Sequence, residues 1–244
     1  MKYYILKNSI DIKEIGCSDQ VTTLPNGYNM NAPYSIWGIP LFGKIEPPIR
    51  FPDFKVRNNR AILTDFPNCV QTSSQWLLFS SRVWDVIKEL NLPEYQVFPV
   101  KVYERGMPYD YFSLFFPLEE GISFIDWNAS KFQLSAVEKE TSRYLPVGEV
   151  SFKTFSDFVQ TRFFLRAGNG LFPNVDFQEG GFDELRDKLL LQPSVINFSK
   201  KIDFDLFRIR GPILGHCASE RFKKTIQENN LTGFRFLPLP GAEK

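Results

Sequence analysis

The chain of 244 residues contains one histidine, His216, and three cysteines, Cys17, Cys69 and Cys217. A single histidine means that every Ser-His-Asp or Cys-His arrangement would have to be built on that residue. Three widely spaced cysteines do not make a disulfide framework and read as reduced thiols. Zinc ligation needs closer Cys and His spacings than these. There is no GxxxxGK[ST] phosphate loop and no GxGxxG turn, so neither a metal nor a cofactor is expected. Charge of one sign is also missing: 29 Lys plus Arg stand against 28 Asp plus Glu, with no block of like charges. The chain therefore lacks the electrostatic footprint of a nucleic-acid or anionic-membrane binder, and neither is expected as a partner. No stretch approaches the roughly 20 apolar residues of a membrane helix. The start, "MKYYILKNSIDIKEIG", has no signal-peptide core and reads as a first strand, so a cytoplasmic location is expected.

Aromatic residues are plentiful, with 25 Phe, and they favour strands and aromatic cores. The chain also repeats itself. "FSSRVWDVIKELNLPEYQVFPV", residues 79–100, and "ASERFKKTIQENNLTGFRFLPL", residues 218–239, align without a gap. Ser80 matches Ser219, Arg82 matches Arg221, and Ile87 matches Ile226. Further along, Asn91 matches Asn230, Leu92 matches Leu231, and Pro99 matches Pro238. Each copy reads as helix, stop, strand. A serine (Ser80 or Ser81, and Ser219) caps the helix, and apolar residues follow at helical spacing. Asn91 and Asn230 suit a left-handed stop, with Leu92 and Leu231 folding back onto the helix. A period-two strand completes the unit. Two readings of the repeat stay open, shared capping chemistry and an internal duplication.

Between the copies, "QVFPVKVYERG", "YDYFSLFFPLEEG" and "ISFIDWNASKF" read as strands of a meander. "SFKTFSDFVQTRFFLRAG" is either a strand pair or a strand with a short helix. "GGFDELRDKLLLQPS" reads as a helix ended by Pro193, and "SVINFSKKIDFDLFRIRG" reads as extended. The expected fold is α+β, mostly antiparallel strands with a few amphipathic helices. It would form a single compact domain over 1–244 or two related halves, 1–130 and 131–244, each with its helix-then-strand unit. Residues 24–54 are too rich in proline for a long helix and read as an irregular wrap. Its aromatics Tyr34 and Trp37 are the candidate partner-binding residues.

Catalytic residues do not emerge. His216 and Cys217 are sequence neighbours, which on a strand point to opposite faces, and the abundant carboxylate pairs are unspecific. The closing segment "DFDLFRIRGPILGHCASERFKKTIQENNLTGFRFLPL" resembles the C-terminal signature of immunity protein family 11, encoded beside polymorphic bacterial toxins. The resemblance rests on Phe207-Arg208-Ile209, Ser219, Phe222, Ile226 and Leu231 through Phe236, and covers about the last fifty residues. It implies a non-enzymatic inhibitor that binds and neutralises a cognate toxin encoded next door. It carries over no catalytic residue, and leaves the toxin's reaction and the oligomeric state open. The rival readings are an enzyme centred on His216 and a structural or scaffolding interaction module.

Overall fold

The architecture comes from a computed structural model, which describes residues 2–23, 28–29, 31–32, 35–36, 43–69, 76–117, 120–137, 144–167, 189–209 and 215–240. The fold is α+β. Among the described residues are twelve strands and four helices, and every strand pairing but one is antiparallel. No helix among them is long and apolar enough to cross a membrane. The chain divides into two compact units, 1–121 with 203–238, and 122–202 with 239–244.

The first unit contains both copies of the repeat. Its larger sheet is built from β2 (Val21–Thr23), β3 (Phe54–Val56), β4 (Trp76–Ser80), β5 (Gln96–Glu104) and β6 (Met107–Phe115), ordered β2-β3-β5-β6-β4. Helix α2 (Ser81–Ile87) follows β4 directly. The β5–β6 hairpin turns through Arg105 and Gly106, both at positive φ (51° and 84°), as a two-residue loop requires. The smaller sheet is ordered β10 (Leu206–Ile209), β11 (Gly215–Ser219), β1 (Tyr3–Asn8), β12 (Phe234–Pro238). Helix α4 (Glu220–Glu228) runs between β11 and β12, and a one-turn helix, α1 (Ile12–Ile15), follows β1.

The two copies are more alike in the structure than in the sequence. In the first, β6 lies between β4 and β5, and in the second β1 lies between β11 and β12. Register agrees on both sides. Ser80 faces Tyr111 as Ser219 faces Tyr3, and Pro99 faces Phe112 as Pro238 faces Tyr4. The chain's first strand therefore occupies, in the second copy, the place that the β6 arm of the hairpin occupies in the first. The copies share one core. Val83 and Ile87 of α2 meet Phe222 and Ile226 of α4, together with Leu6, Phe79, Leu114 and Ala218. Phe79, Leu114 and Phe222 are fully buried, each such side chain stabilising the fold by about 2–3 kcal/mol.

Helix ends separate the copies. Ser80 and Ser219 are the N-caps, accepting from the amides of Val83 at 3.4 Å and Phe222 at 3.0 Å. Helix α4 ends in a Schellman stop: Asn230 has φ 49° and the Leu231 amide donates to the Ile226 carbonyl at 3.1 Å. Asn91 departs from expectation. Helix α2 stops four residues before it, Asn91 is not among the positive-φ residues, and its amide donates to the Asp205 carboxylate at 2.9 Å. A tertiary acceptor has replaced the local stop.

The second unit holds β7 (Lys131–Val137), β8 (Tyr144–Val150) and β9 (Leu189–Val195), ordered β8-β7-β9, with helix α3 (Phe155–Ala167). Trp127, Phe132, Phe152, Phe155 and Phe158 cluster there, the Trp127 and Phe132 rings stacked at 5.9 Å. Two expectations are corrected. "ISFIDWNASKF" is not a strand: residues Glu120–Phe124 form a 3-10 turn, and β7 begins only at Lys131. The Asp126 carboxylate, accepting from the Ala129 amide at 3.0 Å, makes the intervening turn. "LLLQPS" does not end a helix but belongs to strand β9; residues 181–188 lie outside the described residues. Pro193 is tolerated because β9 is an outer strand of the three and the register shifts beside it.

Candidate protein-binding face

Two buried aspartates tie the copies together, and each serves both. Asp65 accepts from the Ser80 hydroxyl at 2.7 Å, which holds the cap of α2. It also accepts from the Thr232 amide at 2.9 Å and hydroxyl at 3.0 Å, in the turn after α4. Asp205 mirrors this, accepting from the Ser219 hydroxyl at 2.7 Å and from the Asn91 amide in the turn after α2. The backbone repeats the exchange. Ser80 and Ser219 donate to the carbonyls of Asp65 and Asp205, and the amides of Phe66 and Asp205 donate to the carbonyls of Thr232 and Asn91. Tyr111, opposite Ser80, donates its hydroxyl to the Thr64 carbonyl at 2.7 Å. Burial first, and then the nearby aspartate, raises the pKa of Tyr111 and of its counterpart Tyr3. The serine and arginine shared by the copies thus have structural roles, and sequence reasoning missed the aspartates because they lie far from the turns they bind.

Function is better sought where the copies differ. Arg221 forms a two-pronged ion pair with Asp205 through Nε, at 2.9 Å, and Nη2. Arg82 reaches Asp65 only through Nη1, at 3.3 Å, and borders an open cleft of about 260 Å³ lined also by Ser81, Glu104, Tyr109, Asp110 and Thr232. Beyond it the hairpin tip exposes Met107 and Tyr109.

The largest difference lies on the outer side of the helices. In the second copy Tyr4 is 4% exposed. Its hydroxyl donates to Glu220, and the Lys223 ammonium sits 4.2 Å from its ring centroid. The same positions in the first copy are Phe112 for Tyr4, Ser81 for Glu220 and Trp84 for Lys223. Trp84 packs on Phe112 at 5.9 Å and edge-on to Tyr95 at 5.6 Å. All three rings remain partly exposed, Tyr95 by 38%, beside the exposed Pro99. One copy covers its aromatic ring with charged side chains; the other offers a tryptophan-centred cluster to solvent. Trp and Tyr are the residues most enriched at the energetic centres of protein interfaces.

Tyr34 and Trp37 lie outside the described residues. His216 is buried on β11, where burial, and then the charges of Arg208 and Lys7, lower its pKa to about 3 and keep the imidazole neutral. Its Nε2 has no hydrogen-bond partner among the described residues. Cys217 is fully buried, and burial pushes its thiol up to about 12. Alternation along β11 sends the two side chains to opposite faces, so the structure does not bring them together as a thiolate–imidazole pair. Among the described residues no group of His, Cys, Asp and Glu could hold a metal ion. No family model and no curated protein matches this chain.

Proposed function

We propose that this protein is an immunity protein that binds a cognate bacterial toxin in the cytoplasm and neutralises it by direct one-to-one contact, with no chemistry of its own. The observation that carries the binding role is the Trp84–Tyr95–Phe112 cluster, left half-open in one copy of a scaffold whose other copy covers the equivalent ring. The similarity of the closing segment to immunity protein family 11 supports the toxin as the partner. An interface of ordinary size buries about 1,600 Å² and draws most of its energy from a few aromatic or Arg anchors. Trp84 and Tyr95 supply such anchors on one face, and Arg82 stands at the start of the same helix. The test is co-expression with the product of the adjacent open reading frame. Restored growth and a stoichiometric complex on gel filtration are expected; neither rescue nor complex rejects the proposal.

A further inference from the structure

We infer that the Trp84 face takes a cationic side chain, lysine or arginine, presented by the protein partner; this rests on the toxin-binding reading above. The second copy shows the chemistry internally. At the same register position, opposite Pro238 on the neighbouring strand, the Tyr4 ring is covered by the ammonium of Lys223 at 4.2 Å. The negative face of an aromatic ring attracts a cation, tryptophan most strongly. In the first copy the helix contributes Trp84 instead of a lysine, so the cluster gains ring surface and, among the described residues, has no cation upon it.

Charge around the cluster leaves room for the same occupant. Lys88 is held by Asp85 at 3.0 Å, Lys44 by Glu94 at 2.7 Å, and Lys101 by Asp110. Each of these cations is already engaged by a carboxylate. An incoming ammonium or guanidinium therefore meets ring faces and displaces no lysine. A purely apolar partner would use the rings and ignore the charge.

Substitution at position 84 separates these cases. The full-length protein and the product of the adjacent open reading frame would be titrated by calorimetry, for wild type, Trp84→Phe, Trp84→Leu and Trp84→Lys. Trp84→Lys copies the solution found in the second copy, so its thermal midpoint should stay near that of wild type. Trp84→Phe keeps a ring and should bind within about fivefold of wild type, whereas Trp84→Leu and Trp84→Lys should weaken binding by about 30-fold or more, the size of a hot-spot loss. Wild-type affinity should also fall as NaCl rises from about 0.05 to about 0.5 M. Trp84→Leu binding as wild type does, or affinity indifferent to salt, overturns the cationic occupant while toxin binding stands. Binding by Trp84→Lys at wild-type strength removes the face from the interface. Failure of the wild type to form any complex rejects the function and this inference together.

Discussion

Replacing Asp205 by alanine should damage both copies of the repeat, although the residue lies outside both of them. The carboxylate is 1% exposed and accepts from the Ser219 hydroxyl, the Asn91 amide and the Arg221 guanidinium. Hydrogen bonds to a buried charge each contribute about 1.5–3 kcal/mol. The Arg221 side chain is 59% exposed and regains water, so its ion pair adds at most about 1 kcal/mol. The Ser219 hydroxyl and the Asn91 amide both lose this acceptor. The expected loss is about 3–5 kcal/mol, a large part of the roughly 5–15 kcal/mol that holds a domain together. Asp205→Asn preserves shape and one acceptor and should cost about half as much. Urea unfolding at neutral pH measures the loss, and native-state hydrogen exchange locates it. Amides of residues 90–92, after α2, should exchange faster along with those of α4. A loss below about 1 kcal/mol, or faster exchange confined to α4, would refute the reciprocal tie.

Two further outcomes follow from particular residues. His216 is folded with a pKa near 3 against an ordinary 6.5, so it contributes stability above pH 6.5 that is lost as pH falls from 6.5 towards 3. Between pH 7 and pH 5 the wild type should lose about 2 kcal/mol more than His216→Gln in urea unfolding; equal losses would show that His216 is not held neutral. Gly233 has φ 89°, and a Cβ there would lie 2.5 Å from Thr64 Oγ1 and 2.6 Å from the Phe66 carbonyl oxygen. Gly233→Ala should destabilise by about 2–4 kcal/mol, whereas Gly106→Ala, at φ 84° but with open space around it, should cost about 1–2 kcal/mol. Equal costs in thermal unfolding would remove steric contact as the cause.

Much of the first unit could be read from the sequence because its signals are local. The serine caps, the helical spacing of Val83, Ile87, Phe222 and Ile226, and the left-handed Asn230 all act within a few residues of chain. What was not legible depends on distant partners. Nothing near Tyr3–Asn8 says that this strand completes the second copy, and nothing near Asp205 says that it binds the turn at Asn91. Asn91 was misread as a local stop for that reason. The "LLLQPS" segment was misread because pairing with β7 outweighs its helical composition. For the candidate face, the aligned copies already held the signal in their mismatches, Trp84 against Lys223 and Ser81 against Glu220. The matched positions are structural and carry no such signal.

In the proposed complex the first copy binds the toxin and the second supports it. Hydrogen exchange of the full-length protein, alone and mixed with the product of the adjacent open reading frame, tests it most directly. Protection is expected in the complex over α2 and the outer face of the β5–β6 hairpin, with α4 unchanged. Protection over α4 with none over α2, or no change anywhere in the chain, would contradict it.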